Sequence, residues 1–91
     1  AVSNGEADRG ILICGTGIGM ALTADKFKGV RASSITTQEF AELARRHNDL
    51  NVICLSGRFI SDEVNKKIVE TFLNTTFEGG RHKRRVDLIE A

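Results

Sequence analysis

The chain lacks proline, tryptophan and tyrosine, and it contains one methionine and two cysteines among 91 residues. Cys14 and Cys54 lie far apart, with no Cys-x-x-Cys motif and no histidine at metal-binding spacing, which argues against a disulfide framework or a zinc site. No apolar run reaches membrane-spanning length, and no secretory signal pattern is present. We therefore expect a cytoplasmic protein without a bound metal and without a membrane partner.

Neither sign of charge is in excess. Thirteen Lys and Arg residues stand against twelve Asp and Glu residues, which gives a formal net charge of +1. The basic run at residues 81–85 has no aromatic side chains interleaved with it. A nucleic-acid partner is therefore not expected.

The length allows one domain at most, and so short a chain buries a smaller share of its surface than a typical domain does. Residues 1–9 suggest the frayed end of a helix and a polar connector, and they run directly into a strand. We expect residues 1–91 to be a single incomplete domain whose core is completed by something else.

Residues 10–21 combine an apolar run with three glycines at alternate positions, and they are the most informative stretch of the sequence. The Ile-Leu-Ile run at 11–13 is typical of a parallel strand covered on both faces. Gly15, Gly17 and Gly19 then allow close approach of the backbone to a ligand, with amide groups free to point at an anion. The stretch predicts a strand, a glycine-rich turn and a helix.

Cys14 is the residue of this turn that can act as a base or a nucleophile, and it ends the strand where α/β sheets bind their ligands. Thr16 offers a hydroxyl to the same space. Oriented amides bias a thiol toward the thiolate and can stabilise an oxyanion beside it. The alternative is a buried structural cysteine before a tight turn, the class to which we assign Cys54.

Periodicity and capping signals predict the other elements. Thr36 with Glu39 fits a capping box, and Ser61 followed by two acidic residues is a strong helix start. The predicted order is a strand at 10–14, a helix at 17–27, a strand at 30–35, a helix from 37, a strand at 51–55, a helix at 61–74 and a helix after 80. This alternation predicts a parallel sheet with helices on both faces.

Several polar residues fall near the ends of these elements. Arg58 follows the third strand, at the same sheet edge as Cys14 if the strands are parallel. His47 ends the second helix and is either a hydrogen-bonded boundary residue or a participant in chemistry. Arg81 and Arg85, at i and i+4, would share a helix face, and two guanidinium groups suit a phosphate dianion.

Four motifs occur in order: Gly-Ile-Leu-Ile-Cys-Gly-Thr-Gly-Ile-Gly at residues 10–19, Arg-His-Asn-Asp-Leu-Asn-Val at 46–52, Ser-Gly-Arg at 56–58 and Glu-Gly-Gly-Arg-His-Lys-Arg-Arg-Val at 78–86. With them the chain resembles the ribose-5-phosphate isomerase type B and galactose-6-phosphate isomerase subunit family over essentially its whole length. The resemblance implies a three-layer, Rossmann-like (flavodoxin-like) α/β fold, of which an N-terminal strand, helix and strand are missing here.

The resemblance also implies a cofactor-free aldose–ketose isomerase of a phosphorylated sugar, by default ribose 5-phosphate, acting through a cis-enediolate. Cys14 matches the family's base, Thr16 would assist ring opening or proton handling, and His47 matches the ring-opening histidine. The residues implied to bind the substrate are Gly15, Gly17, Gly19, Asn48, Arg58, Arg81 and Arg85.

The resemblance further implies homodimers or homotetramers with active sites shared between subunits, and a chain that is inactive and poorly stable without its N-terminal third. Two alternatives stay open: a hexose- or tetrose-phosphate isomerase of the same family, and a non-catalytic sugar-phosphate-binding module. A dinucleotide site is disfavoured because Gly-x-Gly-x-x-Gly is absent. A cysteine phosphatase is disfavoured because no arginine follows Cys14 in the glycine loop.

Overall fold

The computed structural model describes residues 2–90, which form three strands and four helices. In chain order they are β1 (Gly10–Cys14), α1 (Ile18–Ala24), β2 (Ala32–Ser34), α2 (Gln38–Asn48), β3 (Val52–Ser56), α3 (Asp62–Asn74) and α4 (Arg81–Glu90). The strands are parallel and lie in the spatial order β1, β3, β2. The predicted alternation of strands and helices and the predicted parallel sheet are confirmed.

The central strand β3 separates two apolar layers, and all five of its residues are buried. Successive side chains of a strand point to opposite faces. Val52 and Cys54 pack on the side of α1, whereas Ile53 and Leu55 pack with residues of α2 and α3, including the fully buried Phe72. α4 packs against α2. Helices therefore cover both faces of the sheet, as the sequence predicted.

The expectation that β1 is covered on both faces is wrong for the described residues. Leu12 packs with the α1 layer, but Ile11 and Ile13 point to the other face and are 40% and 64% exposed. β1 is an edge strand, and the layer formed by α2 and α3 packs over the neighbouring strands. The apolar run therefore predicted the strand correctly, but it did not predict how much of the strand is buried by neighbouring helices.

Two helices start at hydroxyl caps. The Ser61 hydroxyl accepts a hydrogen bond from the Val64 N–H at 3.3 Å, which confirms the predicted start of α3. The predicted cap of α2 at Thr36 is wrong by one residue. Thr37 is the cap, because its extended backbone places its hydroxyl where it accepts the Phe40 N–H at 3.1 Å.

Other boundaries differ from the prediction by a few residues. α1 ends at Ala24 rather than at 27, and the Asp25 carboxylate accepts the Ala32 N–H at 2.7 Å, which ties the turn to β2. β2 is shorter than predicted, and β3 begins and ends one residue later. Residues 2–9 form turns and bends, with Gly5 at φ 82°, instead of the end of a helix, and Ala1 lies outside the described residues.

The longest helix, α3, has 13 residues. Within residues 2–90 no helix combines the length and the apolarity that crossing a membrane requires.

Candidate functional site

The carboxyl ends of β1 and β3 form one edge of the sheet, as predicted. Cys14 is paired with Ser56 in the strand register. The Gly57 N–H donates to the Cys14 carbonyl at 2.8 Å, and the Gly15 carbonyl accepts both the Ser56 hydroxyl at 2.6 Å and the Arg58 N–H at 3.3 Å. Arg58 is therefore held beside the glycine turn, with its side chain exposed.

The glycine turn folds back onto the sulfur of Cys14. The Gly17 N–H donates to Cys14 Sγ at an N···S distance of 2.8 Å, and the Ile18 N–H donates to Thr16 Oγ1 at 3.2 Å. Cys14 is half-buried and Thr16 is exposed. The sequence predicted that the Gly17 amide points at a ligand. In the structure this amide points at the thiol, because the turn closes onto the residue three positions earlier.

The three glycines of the turn have different surroundings. Gly17 has φ 84°, and a Cβ built there would lie 2.8 Å from the Cys54 carbonyl oxygen, so glycine is required by the fold. A Cβ built on Gly15 or Gly19 would meet nothing within 4 Å. The space beside Gly15 and Gly19 is therefore open to a ligand.

Cys54 lies in the core and is fully buried, which confirms its assignment as a structural cysteine. Burial, followed by the proximity of Cys14 and Asp25, raises the pKa of the Cys54 thiol to about 11. Cys54 therefore stays a neutral thiol, and Cys14 is the accessible one of the two.

A second cluster lies at the end of α2. The imidazole rings of His47 and His82 are stacked, with centroids 4.3 Å apart and planes 14° apart. Glu78 Oε1 lies 3.8 Å from Nε2 of His47 and 3.5 Å from Nε2 of His82. Glu78 Oε2 accepts the Arg46 guanidinium, at 2.6 Å from Nε and 2.5 Å from Nη2. His47 is thus a member of a charged, stacked group.

The electrostatics of this cluster favour a charged carboxylate and a neutral His82. The hydrogen bond from Arg46 is the main reason that the pKa of Glu78 lies below its ordinary value. Burial, followed by the charges of His47 and Arg81, lowers the pKa of His82, although Glu78 acts in the opposite direction.

Sequence reasoning gave no role to Glu78 or His82, although both lie in the motif at 78–86. They are far from His47 along the chain, so no local spacing rule pairs them with it. The available signal was the Gly-Gly pair. Gly79 and Gly80 are both left-handed, at φ 73° and 58°, and they turn the chain so that Glu78 lies beside His82 one helical turn later.

The nitrogen and oxygen atoms of His47, Glu78 and His82 lie within 4.8 Å of one another. A metal ion lies in the plane of every imidazole that binds it. The nearly parallel stacked rings cannot both direct an Nε2 lone pair at one point, and Arg46 already pairs with the carboxylate. We therefore interpret the cluster as an ionic and stacking arrangement.

Cys14 and His47 lie at opposite edges of the sheet. His47 and Asn48 end α2 just before β3 begins, at the amino edge, whereas Cys14, Thr16 and Arg58 follow the ends of strands at the carboxyl edge. With a rise of about 3.3 Å per residue, the length of β3 separates the two edges by roughly 15 Å. One copy of the chain therefore does not bring the predicted catalytic residues together.

The remaining predicted residues belong to the His47 side. Arg81 and Arg85 are exposed on α4, one turn apart as predicted, and their charges help to lower the pKa of the neighbouring His82. Asn48 lines a cavity of about 740 Å³ between the end of α2 and the turn that precedes β2, with Arg31 on its wall.

Comparison with known proteins finds similar sequences that are all described as sugar isomerases. The family model described as Ribose/Galactose Isomerase matches residues 1–89. The probable ribose-5-phosphate isomerase B of Mycoplasma genitalium is 54% identical over 86 residues, covering 94% of this chain and 57% of that protein. The ribose-5-phosphate isomerase B of Escherichia coli is 47% identical over 91 residues, covering 100% of this chain and 61% of that protein.

A solved structure of ribose-5-phosphate isomerase B from Mycoplasma genitalium with bound ribulose-5-phosphate matches with a TM-score of 0.92 at 52% identity, covering 98% of this chain and 59% of that one. This chain thus spans about 60% of the length of these relatives. A D-erythrulose-4-phosphate isomerase of Pectobacterium atrosepticum is 42% identical over 89 residues, covering 98% of this chain and 59% of that protein. The similar proteins therefore act on sugar phosphates of more than one length.

Proposed function

Because this chain belongs to the ribose/galactose isomerase family, we propose that the protein is an aldose–ketose isomerase that interconverts ribose 5-phosphate and ribulose 5-phosphate. The family assignment agrees with the one expected from the four sequence motifs. Support for the substrate comes from the relatives named ribose-5-phosphate isomerase B and from the relative whose structure contains ribulose-5-phosphate.

The observation that carries the proposal is the thiol at the mouth of the glycine turn. Cys14 is half-buried, its Sγ accepts the Gly17 N–H at 2.8 Å, and the same turn has open space at Gly15 and Gly19. An amide donating to sulfur stabilises negative charge on it, which a base requires. In our proposal Cys14 takes the proton from C2 of the aldose and returns it to C1, while a proton passes from O2 to O1, giving the ketose.

The turn also supplies groups for the enediolate that forms between these two steps. Enolisation places negative charge on the substrate oxygens, and preorganised donors near that charge lower the barrier. We assign this role to the amides of Gly15 and Gly19 and to the Thr16 hydroxyl, whereas the Gly17 amide supports the charge on the sulfur. This mechanism uses no cofactor.

Residues of both sheet edges would prepare and anchor the substrate, Arg58 at the edge of Cys14 and the others at the edge of His47. We assign ring opening to His47 and binding of the intermediate to Asn48. We assign the phosphate to Arg58, Arg81 and Arg85, all exposed. Anchoring the phosphate fixes the reacting carbons beside the base, which converts binding energy into correct orientation.

Cys14 and His47 occupy opposite edges of the sheet, so we propose an active site assembled from two copies of the chain. Cys14 and Thr16 of one protomer would face His47 of its partner, and a homodimer is the smallest closed assembly that provides this arrangement. A homotetramer built from such dimers fits equally well. A single copy is then expected to be inactive.

Deuterium exchange tests the proposal. The intact protein is incubated with ribose 5-phosphate in deuterated water, and NMR follows deuterium entry at C2 of the aldose and C1 of the ketose. We expect exchange in the wild type and in Cys54→Ala, and no exchange in Cys14→Ala, which should still bind a phosphate ligand with nearly unchanged affinity. Equal loss of exchange and of ligand affinity in Cys14→Ala would remove it from the role of base.

The same experiment separates the two alternatives. Exchange with a tetrose or hexose phosphate but not with ribose 5-phosphate would assign the protein to another substrate of the same family. No exchange with any of the three would favour a sugar-phosphate-binding module. We also retain the proposal of a cytoplasmic location, because a reducing compartment keeps the Cys14 thiol available as a base.

A further inference from the structure

Ser56 ends β3, and it is almost completely buried. The residue is 2% exposed and lies opposite Cys14 in the strand register. Its carbonyl accepts the Asn65 side-chain amide at 2.8 Å, which ties the end of β3 to α3. The Ser56 hydroxyl is therefore held beside the glycine turn, although no step of the proposed mechanism uses it.

The direction of this hydroxyl is determined by its two partners. Oγ accepts the Phe59 N–H at 3.0 Å and donates to the Gly15 carbonyl at 2.6 Å, because an N–H can only donate and a carbonyl can only accept. The Arg58 N–H donates to the same carbonyl at the longer distance of 3.3 Å. The Gly15 carbonyl is therefore held mainly by Ser56.

The held carbonyl also determines where an amide points. The peptide bond between Gly15 and Thr16 is trans, and in a trans peptide the C=O and the N–H point in opposite directions. The carbonyl points toward the end of β3, so the Thr16 N–H points toward the side of β1 on which no strand lies among residues 2–90. No residue that the structure describes accepts this N–H, and Thr16 is exposed. A ligand beside the turn can therefore accept it.

We propose that Ser56 is a positioning residue for the isomerase reaction, because its hydroxyl fixes the Gly15–Thr16 peptide so that the Thr16 N–H can donate to an enediolate oxygen. This role rests on the proposed function, which places the enediolate beside this turn. A donor that is already oriented needs no reorganisation when the charge forms, whereas a peptide that turns freely loses part of that stabilisation. Ser56 acts through the peptide and does not touch the substrate.

NMR relaxation in the free protein tests whether Ser56 fixes the peptide. The nitrogen-15 order parameter of the Thr16 amide reports the motion of this peptide plane, and we expect a value of about 0.85 in the wild type and a fall toward about 0.6 in Ser56→Ala. Ser34→Ala is the matched control, because the Ser34 hydroxyl lies 3.4 Å from the next carbonyl of the turn, that of Thr16. It should leave the Thr16 amide unchanged. An unchanged amide in Ser56→Ala, or an equal fall in both variants, would overturn the proposal.

Calorimetry with two probes tests whether the fixed amide serves the enediolate. The hydroxamate of 4-phosphoerythronic acid presents two adjacent oxygens like those of the enediolate, whereas ribitol 5-phosphate has the phosphate but no carbonyl. We expect Ser56→Ala to weaken binding of the hydroxamate about tenfold and to change binding of ribitol 5-phosphate by less than about twofold. The kcat for ribose 5-phosphate should fall about tenfold at nearly constant KM.

A role of Ser56 in stability alone would give a different result. It would lower the number of binding-competent chains without changing the Kd of either probe. Equal weakening of both probes, or of neither, would overturn the proposal.

The wild type separates this proposal from the proposed function. If the wild type neither converts ribose 5-phosphate nor binds the hydroxamate, the proposed function fails, and the role of Ser56 in it fails as well. If the wild type does both and Ser56→Ala does both equally well, the proposed function stands and the role of Ser56 is overturned.

Discussion

Gly17 lies so close to Cys54 that a Cβ on Gly17 would stand 2.8 Å from the Cys54 carbonyl oxygen. That oxygen also accepts the Ile35 N–H at 3.2 Å, so it cannot move away without loss of a hydrogen bond. Gly17 has φ 84°, a conformation that strains any residue with a side chain. We expect Gly17→Ala to lower the free energy of unfolding by roughly 2 kcal/mol or more, measured by urea denaturation.

Gly19→Ala is the matched variant in the same turn. A Cβ at Gly19 would meet nothing within 4 Å, and the residue lies in α1, where alanine is the better helix former. We expect stability to stay unchanged or to rise by up to about 1 kcal/mol. Isomerase turnover should fall, because the methyl group fills space assigned to the substrate. A loss of stability as large as that of Gly17→Ala would contradict the difference between the two positions.

The two cysteines should differ in reactivity. Cys54 is fully buried, and with a pKa of about 11 only about 0.1% of it is ionised at pH 8 in the folded protein. Iodoacetamide should therefore modify Cys14 and leave Cys54 unmodified until the protein unfolds, as read by peptide mass spectrometry. Comparable labelling of the two thiols under native conditions would refute this.

Stability should fall in acid for a reason that can be assigned. The pKa values of His82 and Glu78 are both lowered in the folded chain, so the unfolded state binds protons more readily and both contributions are lost as pH falls. The loss begins below the ordinary value of 6.5 for His82 and of 4.5 for Glu78. Urea midpoints should be level above about pH 7 and should then decline through these two ranges. His82→Gln should remove the decline that begins below pH 6.5. An equally steep decline of the urea midpoint in that range in both proteins would contradict the assignment to His82.

Two inactive variants should complement each other if the active site is shared. The Cys14→Ala and His47→Ala variants are mixed in equal amounts and refolded together. Half of the resulting dimers then contain one chain of each variant, and each of these mixed dimers has one intact site. About a quarter of wild-type activity should return. Cys14→Ala mixed with Thr16→Ala is the control, because both changes lie at the same edge, and it should show no gain over the separate variants. Absence of any recovery in the first mixture would indicate a site within one copy.

Local signals predicted the elements well. The Ser61 cap and the apolar runs of β1 and β3 each depend on a few neighbouring residues, and the structure places them within one residue of the prediction. The exposure of Ile11 and Ile13 could not be predicted in this way. It depends on which helices reach the edge of the sheet, and no local pattern carries that information.

The two clusters of the candidate site differ in the same respect. Cys14 and Arg58 could be placed together from the sequence, because parallel strands end at one edge. The contact of His47 with Glu78 and His82 depends on how α4 returns onto α2, and the motif at 78–86 marked the segment without showing what it meets. The separation of Cys14 from His47 follows from the parallel direction of the strands, because Cys14 ends β1 whereas His47 precedes β3.

The different surroundings of Gly15, Gly17 and Gly19 also affect which of these glycines evolution would keep in related proteins. Selection for folding alone is enough to preserve a glycine at position 17, even in a descendant that has lost all turnover. Nothing in the packing restrains positions 15 and 19, so drift would replace those glycines once a lineage abandoned the reaction. Under the proposed mechanism, glycine at 15 and 19 in related genes therefore marks a working enzyme, whereas glycine at 17 marks only a folded one.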